Sequence, residues 1–318
     1  MILSSNAKIK LMKAFANASL ILLIILIIYS IRLRISEDVN KYPSLDKKQL
    51  EIISNLDKSG KDRPATNIKL DVDTQKLSAK SILVTDFNTD DVVYGYNISS
   101  KLPVASLNKL LTALTAVYLN PENSTDIVTI NEYDYSSIPE NKAGLIAGEK
   151  YKLNDLLASL LISSHNDTAY ALALNFSGSI EEYTKNAQHL LEVFKLNSTV
   201  YDNPAGFDGI GFSTSVDLNR IARILLSSQY IRDVVASPSL EITDIDNKHN
   251  IKLKTTDLLL STDERVVGLK TGTTDNAKQC LMTLVNISDK QFLITILGSD
   301  DRYSDSRYLI NLLSDAIK

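Results

Sequence analysis

The sequence predicts an α+β domain in which strands from both ends form one sheet and a helical region is inserted between them. Runs rich in β-branched and aromatic residues occur near residue 81 and again after residue 265. Helical periodicity dominates the residues between these two groups. Because two-stranded pieces are only marginally stable alone, we expect both groups of strands to pair in the same sheet.

The strand predictions rest on short apolar runs bounded by turn-forming residues. The first two runs flank the sequence Asn-Thr-Asp-Asp at 88–91, which predicts a hairpin. The last two are joined by Ser-Asp-Lys at 288–290. The predicted strands are Ser81–Phe87, Val92–Tyr96, Arg265–Leu269, Gln279–Ile287 and Gln291–Gly298.

The helix predictions rest on apolar residues that recur every three or four positions. Two of the starts carry a hydroxyl residue followed three positions later by an acidic residue, which is a capping pattern. We expect the helix from Ser179 to end near Lys195, with Asn197 as its cap, and Ser304 to cap the last helix. The predicted starts are Ser106, Asn154, Ser179, Thr214 and Ser304.

The composition excludes several classes of function. Lys and Arg total 34 and Asp and Glu total 38, so the net charge is −4, which argues against nucleic-acid binding. The one cysteine excludes thiolate zinc clusters, and the three histidines are too far apart for a metal motif. We therefore expect no metal and no cofactor, and chemistry performed by Ser, Lys, Asp, Glu or Asn.

The N-terminal region predicts a single membrane-spanning helix. Residues 14–31 carry no charge, and as a helix they would be about 27 Å long, which just spans a bilayer core. Basic residues before this run favour a cytoplasmic location for residues 1–13. Residues 32–78 are polar and predict an extracytoplasmic stem, with packing onto the domain as the alternative, and residues 79–318 predict the folded domain. A cleaved signal peptide is the alternative, although residues 29–32 offer no small-residue cleavage site.

The first chemical motif is Ser106-Leu-Asn-Lys109. Lys109 lies one helical turn after Ser106, so the two side chains can meet. A serine hydroxyl needs an adjacent base, and a lysine is a base only when burial or a second cation has lowered its pKa. The helix N-terminus would supply N–H groups where an oxyanion develops. Alone, this spacing is common in helices that begin with serine.

Two further motifs are equally weak alone. Ser164 and Asn166 could relay a proton and hold a substrate amide, but either could also simply cap a helix. The segment Lys270–Thr273 lies at the end of a predicted strand and could bind a carboxylate. A cation at Lys270 would also help to keep Lys109 neutral by repulsion.

The joint occurrence of S-x-x-K, S-x-N and K-T-G is typical of penicillin-binding proteins and class A β-lactamases. Residues 79–318 closely resemble the D-alanyl-D-alanine carboxypeptidases, which are low-molecular-mass penicillin-binding serine peptidases. This family has the DD-peptidase/serine β-lactamase-like fold, an antiparallel sheet flanked by helices with an inserted helical subdomain. The resembling segments are ASLNKLLTA at 105–113, NPAGFD at 203–208, STSVDL at 213–218, KTGTT at 270–274 and CL at 280–281.

The resemblance implies a role for each motif residue. Ser106 would be the acylated nucleophile, Lys109 its general base and Ser164 a proton shuttle. Asn166 would hold a substrate amide, and Lys270 with Thr271 would bind the terminal carboxylate. Gly272 would let the substrate approach the backbone. The N–H groups of Ser106 and Thr273 would form the oxyanion hole.

The implied substrate is a peptidoglycan stem peptide ending in D-Ala-D-Ala, and β-lactam antibiotics would be inhibitors. His165 replaces the usual glycine of the second motif and could narrow the cleft. Many relatives carry a β-rich domain after the catalytic one, and about 45 residues follow Gly272, too few for such a domain. The choice between carboxypeptidase and endopeptidase stays open.

Two other functions remain as alternatives. A class A-like β-lactamase would need an E-x-x-L-N loop, and the segment Glu192–Asn197 is one residue too long for it. An inactive membrane-tethered peptidoglycan-binding protein would share the fold, but it would not require the complete set of motif residues.

Overall fold

A five-stranded antiparallel sheet organises the computed structural model, which describes residues 68–120, 127–139, 141–207 and 210–317. The strands are β1 (Ser81–Asp86), β2 (Val92–Tyr96), β3 (Val266–Thr274), β4 (Lys278–Ile287) and β5 (Lys290–Ser299). Their order in the sheet is β2-β1-β5-β4-β3. The pairing of β1 with β5 joins the two ends of the domain, as the sequence predicts.

Along the chain, six of the described α-helices lie between β2 and β3, and one follows β5. They are α1 (Asn108–Leu119), α2 (Leu153–Ile162), α3 (Asn166–Ser177), α4 (Ile180–Val193), α5 (Ser215–Leu225), α6 (Gln229–Val235) and α7 (Arg302–Ile317). Short two-stranded ribbons, which were not predicted from the sequence, complete the helical region. They pair 102–103 with 212–213, 127–129 with 150–152, and 239–243 with 250–254.

The central strands are buried on both faces because helices cover both sides of the sheet. On β5, Ile294 and Ile296 pack into a core with α7, whereas Leu293 and Leu297 pack into a second core with the helical region. This alternation follows from the two-residue period of a strand. The expected α+β fold, with its sheet flanked by helices and its inserted helical region, is confirmed.

Capping side chains fix two helix starts where the sequence places them. Ser179 Oγ accepts the N–H of Glu182 at 3.1 Å, and Thr214 Oγ1 accepts the N–H of Asp217 at 3.1 Å. The expectation for the last helix is wrong. α7 begins at Arg302, and the carboxylate of Asp301, rather than Ser304, accepts the first free N–H groups.

Two other boundaries differ from the sequence-based expectation. α4 ends at Val193, and Lys195 takes a left-handed φ of 55°, so Asn197 lies beyond the helix and does not cap it. The third strand was expected to end at Leu269, but β3 continues to Thr274 because its edge pairs with β4 as far as Lys278. The Lys270–Thr273 motif therefore lies within an edge strand.

Part of the expected stem packs onto the domain. Ile68, Leu70, Val72 and Leu77 contact the core between the sheet and α7. The folded region therefore already includes residue 68, and the sequence-based boundary at residue 79 falls inside it.

The predicted cytoplasmic N-terminus, membrane helix and most of the stem lie outside the described residues. Among the residues that are described, no helix combines the length and apolar character needed to cross a bilayer.

Candidate active site

Ser106 lies in a single 3₁₀ turn, Ala105–Leu107, that leads directly into α1. Ala105 has a left-handed φ of 49°, so the chain turns sharply just before the serine. The Leu107 N–H donates to Val104 O at 3.1 Å and closes this turn. Ser106 is half-buried, and its side chain lines a cleft.

Lys109 is fully buried one turn after Ser106 and is surrounded by oxygen atoms. Its Nζ lies 3.0 Å from Ser106 Oγ, 2.8 Å from Asn166 Oδ1 and 2.7 Å from the carbonyl oxygen of Ala205. The amide and carbonyl oxygens can only accept hydrogen bonds. A neutral amine has two N–H groups for them, which leaves its lone pair to face the Ser106 hydroxyl.

The surroundings of Lys109 favour that neutral form. Burial lowers its pKa well below the usual range, and the nearby Lys270 ammonium lowers it further. The Asp167 carboxylate acts in the opposite direction and raises it. Because burial is the largest influence, the side chain is suited to accept a proton.

Ser164 and Asn166 lie at the junction between α2 and α3. Ser164 has a left-handed φ of 61°, and both side chains line the cleft. Asn141 holds this turn: its Nδ2 donates to the carbonyl oxygens of Ser163 and Ser164 at 2.9 and 2.8 Å. The backbone carbonyl oxygen of Asn141 accepts the backbone N–H of Asn166 at 2.8 Å. Sequence reasoning missed Asn141 because no motif surrounds it.

His165 points away from the cleft. Its Nδ1 lies 2.9 Å from Ser159 Oγ on α2, and its ring is not among the groups that line the cleft. Burial lowers the pKa of the imidazole. The expected narrowing of the cleft is therefore not found, since the ring occupies space between the helices.

Asp167 is a second residue that sequence reasoning missed. Its buried carboxylate accepts three consecutive backbone N–H groups, those of Ala143, Gly144 and Leu145, at 2.8–3.3 Å. These contacts fix the loop that carries Asn141. Asp167 therefore supports the cleft wall from behind.

Strand β3 forms the opposite wall and carries the K-T-G motif. Lys270 is buried, and its Nζ donates to Thr271 O at 3.0 Å. Burial lowers its pKa to about 7, and Arg302 lowers it too, whereas Asp257 raises it. Thr271 Oγ1 lies 2.6 Å from Thr256 Oγ1, and both threonines line the cleft.

Gly272 brings β3 against the serine turn. A Cβ atom at this position would lie 2.8 Å from Val104 O and 3.1 Å from the backbone nitrogens of Ser106 and Leu107. Real side chains do not tolerate such a contact with backbone, so only glycine fits. The close approach places the N–H groups of the serine turn beside those of β3.

Arg302, the first residue of α7, adds a second cation beside Lys270 and was not identified from the sequence. Its Nη1 donates to Gly272 O and Thr273 Oγ1, both at 2.8 Å. It lines the cleft beside the K-T-G motif. The signal that could have found it, an arginine at the start of the last helix, is too common to be specific.

These groups surround a cleft of about 330 Å³. Of the predicted residues, Ser106, Ser164, Asn166 and Thr271–Thr273 line it, whereas Lys109 and Lys270 are buried behind its walls. None of the described lining residues is acidic, and no cluster able to hold a metal ion is found in the part of the chain that is described. The arrangement is suited to transfer of an acyl group to the serine from a substrate that carries a carboxylate.

Comparisons with known proteins agree with this chemistry. The profile of the Peptidase_S11 family, D-alanyl-D-alanine carboxypeptidase, matches residues 68–301. A D-alanyl-D-alanine endopeptidase of Pseudomonas aeruginosa is 27% identical, with 72% of this chain and 74% of that protein covered. The D-alanyl-D-alanine carboxypeptidase DacF of Bacillus subtilis is also 27% identical, with 70% of this chain and 57% of that protein covered.

A solved structure shows the same fold. The crystal structure of the Streptomyces K15 DD-transpeptidase superposes with a TM-score of 0.68 at 22% identity. The superposition covers 80% of this chain and 99% of that one. Since the family profile spans most of the domain and the fold agrees, the chain belongs to the D-alanyl-D-alanine carboxypeptidase family of serine peptidases.

Proposed function

We propose that this protein is a serine-type D-Ala-D-Ala carboxypeptidase that acts on peptidoglycan stem peptides through an acyl-enzyme at Ser106. The contact between the buried Lys109 amine and Ser106 Oγ, 3.0 Å apart at the floor of the cleft, carries the proposal. A serine with a neutral lysine beside it has the base that nucleophilic attack requires. The family supports the reaction class.

The reaction proceeds in two steps. Lys109 takes the hydroxyl proton as Ser106 Oγ bonds to the scissile carbonyl carbon, and the tetrahedral intermediate collapses as the C–N bond breaks. The departing D-alanine amine takes that proton, with Ser164 as the shuttle. A water molecule then gives a proton to Lys109 and attacks the ester carbonyl, and the serine oxygen leaves and regains the proton.

The remaining motif residues bind the substrate. Lys270, Thr271 and Arg302 form the cationic end of the cleft and hold the terminal carboxylate through charge-assisted hydrogen bonds. Asn166 holds the amide on the acyl side. The backbone N–H groups of Ser106 and Thr273 receive the developing oxyanion, which Gly272 makes possible by allowing the two segments to approach.

β-Lactam antibiotics fit the same site because they combine a reactive carbonyl with a nearby carboxylate.

The β-lactamase alternative is not favoured: Glu192 is exposed in the last turn of α4 and does not line the cleft. An inactive binding protein is not favoured either, since burying Lys109 without a catalytic role would only cost stability. A relative named as an endopeptidase and one named as a carboxypeptidase are both 27% identical to this chain, and both activities would use the same proposed residues.

We also propose the domain organisation that the sequence predicts. Residues 1–13 are cytoplasmic, residues 14–31 anchor the chain in the cell membrane as a single helix, and the stem carries an extracytoplasmic domain. The support is the uncharged apolar run with basic residues before it. This arrangement places the cleft on the side of the membrane where peptidoglycan lies.

Replacing the proposed base tests the mechanism. We expect Lys109→Met to slow labelling by a fluorescent penicillin about 10³-fold, since a positioned base contributes 10²–10⁴-fold. Ser106→Ala should abolish labelling, and the exposed Lys101→Met is the matched control. Labelling of Lys109→Met at the wild-type rate, with the fold intact by circular dichroism, would contradict the assignment.

The lowered pKa of Lys270 predicts the pH dependence of substrate binding. Because this pKa is about 7, Lys270 is cationic below that pH and loses its charge above it. We expect kcat/KM for a pentapeptide ending in D-Ala-D-Ala to fall about 10-fold as pH rises through this range, the size of one charge-assisted hydrogen bond. The C-terminal amide of the same peptide should show no such fall, and identical profiles for the two peptides would refute the role.

Deleting residues 1–31 tests the anchor. We expect the full-length protein to sediment with membranes after a high-salt wash and the shortened protein to remain in the supernatant. Mass spectrometry of the mature N-terminus checks the alternative of signal cleavage. A mature chain that begins after residue 31 would show that the helix is a cleaved signal peptide.

A further inference from the structure

A row of aromatic rings begins in the cleft and leads to the surface. Phe207 lines the cleft and stacks on Tyr170 with ring centroids 6.2 Å apart and an interplanar angle of 18°. Tyr133 lies over Tyr170 at 5.8 Å, and Tyr135 contacts Tyr133 edge-on at 5.3 Å. The proposed reaction assigns no role to these rings.

The row lies on the side of the cleft that carries Asn166. The carbonyl oxygen of Asn141 accepts the N–H of Asn166 at 2.8 Å, and the segment that carries Tyr133 runs into Asn141. The cationic groups Lys270 and Arg302 belong to the opposite wall and receive the carboxylate end of the substrate. With the carboxylate at that end, the peptide on the other side of the scissile bond can extend toward the aromatic side.

The rings of Tyr133 and Phe207 are accessible, and the ring of Tyr170 between them is held in place. Tyr133 is 40% exposed and Phe207 is half-buried, whereas Tyr170 is buried and packs against both. The two centroid-to-centroid steps together correspond to about three or four residues of extended peptide. Rings held in this way offer apolar surface at little cost in conformational entropy.

We propose that Phe207 and Tyr133 form an acyl-side subsite for the aliphatic part of the peptide that precedes the terminal D-Ala-D-Ala, with Tyr170 as its support. The inference rests on the proposed function, because it assumes that the carboxylate lies at the cationic end. Such a subsite would let a cleft with few apolar groups near Ser106 favour a long peptide over a short one.

Two substrates of different length test the subsite. N-acetyl-D-Ala-D-Ala reaches only the catalytic residues and the cationic end, whereas a pentapeptide also reaches the aromatic row. We expect Tyr133→Ala to lower kcat/KM for the pentapeptide about 10-fold and to leave that for the short substrate unchanged. Tyr96→Ala, which removes an equally exposed tyrosine from β2, is the control and should change neither value.

The outcomes separate the two proposals. An equal loss on both substrates, or no loss on the pentapeptide, would overturn the subsite. Failure of the wild-type protein to cleave either substrate would instead contradict the proposed function. Tyr133→Phe keeps the ring and should leave the ratio of kcat/KM for the long and the short substrate at the wild-type value, as an apolar contact requires.

A separate network connects the start of the folded region to the cleft. Asp305 is buried one turn after Arg302 on α7, and its carboxylate accepts the N–H and the hydroxyl of Ser78, both at 3.0 Å. Ser299 Oγ donates to the same carboxylate at 2.6 Å. Ser78 Oγ in turn accepts the backbone N–H groups of residues 300 and 301, which lead into the helix.

From this geometry we infer that Ser78 and Asp305 are positioning residues for Arg302. The network holds the first turn of α7 against the end of β5, and the same turn delivers the guanidinium to Gly272 O and Thr273 Oγ1. A charged donor keeps its full hydrogen-bond strength only while its position is fixed. Recognition of the substrate carboxylate then depends on the segment that enters the domain from the stem.

The preference for a free carboxylate over an amide tests this second inference. We expect the ratio of kcat/KM for the pentapeptide and its C-terminal amide to fall about fivefold in Ser78→Ala, mainly through a higher KM. Tyr308→Phe removes a 3.0 Å contact with the Asp73 N–H, which joins the same segment to a later turn of α7. This control should leave the ratio unchanged.

A double mutant shows whether the effect passes through Arg302. In an Arg302→Gln background, Ser78→Ala should have no further effect on the ratio, because the group it positions is gone. An additional fivefold fall in that background, or an unchanged ratio in the folded Ser78→Ala protein, would overturn the inference. A wild-type protein that does not discriminate between the two peptides would instead contradict the proposed carboxylate site.

Discussion

The burial of the Lys109 amine is the interaction on which the rest of the site depends. A lysine removed from water loses its preference for the charged form, and the acceptors around it then decide where its lone pair points. The side-chain oxygen of Asn166 and the carbonyl oxygen of Ala205 accept its two N–H groups, and its lone pair then faces the hydroxyl of Ser106. These partners come from three separate segments of the chain. The fold must therefore hold all three in place for Lys109 to act as the proposed base.

Backbone strain at the site shows how the fold meets this requirement. Ala105 and Ser164 both have left-handed φ angles, which cost residues with a Cβ about 1–2 kcal/mol each. The contacts of Asn141 compensate at the second position, and the core around α1 compensates at the first. At Gly272 the absence of a side chain avoids a clash with the backbone of the serine turn. Local stability is thus reduced where the serine, the lysine and strand β3 meet, and the two large cores support that region.

The two walls of the cleft differ in chemical character, and this difference gives the site a direction. One wall carries cations that come from β3 and from the first turn of α7, and the other carries amides and aromatic rings. Under the proposed function, a peptide binds productively in the orientation that brings its terminal carboxylate to these cations. His165 does not disturb this arrangement, because its ring bonds to Ser159 between the helices. A bulky residue in the second motif is therefore compatible with an open cleft.

Local sequence signals were sufficient for the motifs and for most of the long elements, but the helix α3 was not predicted. The strands of the sheet, the capped helices at Ser179 and Thr214 and the three motifs could all be recognised because each depends on neighbours in the chain. Only the tertiary structure could reveal Asn141, Asp167 and Arg302, since their partners lie far away along the sequence. The boundary of the folded region likewise depended on contacts with α7, which no local pattern records. The amino-acid order determined which chemical groups are available, and the folded chain decided which of them meet, because burial and charge act through space.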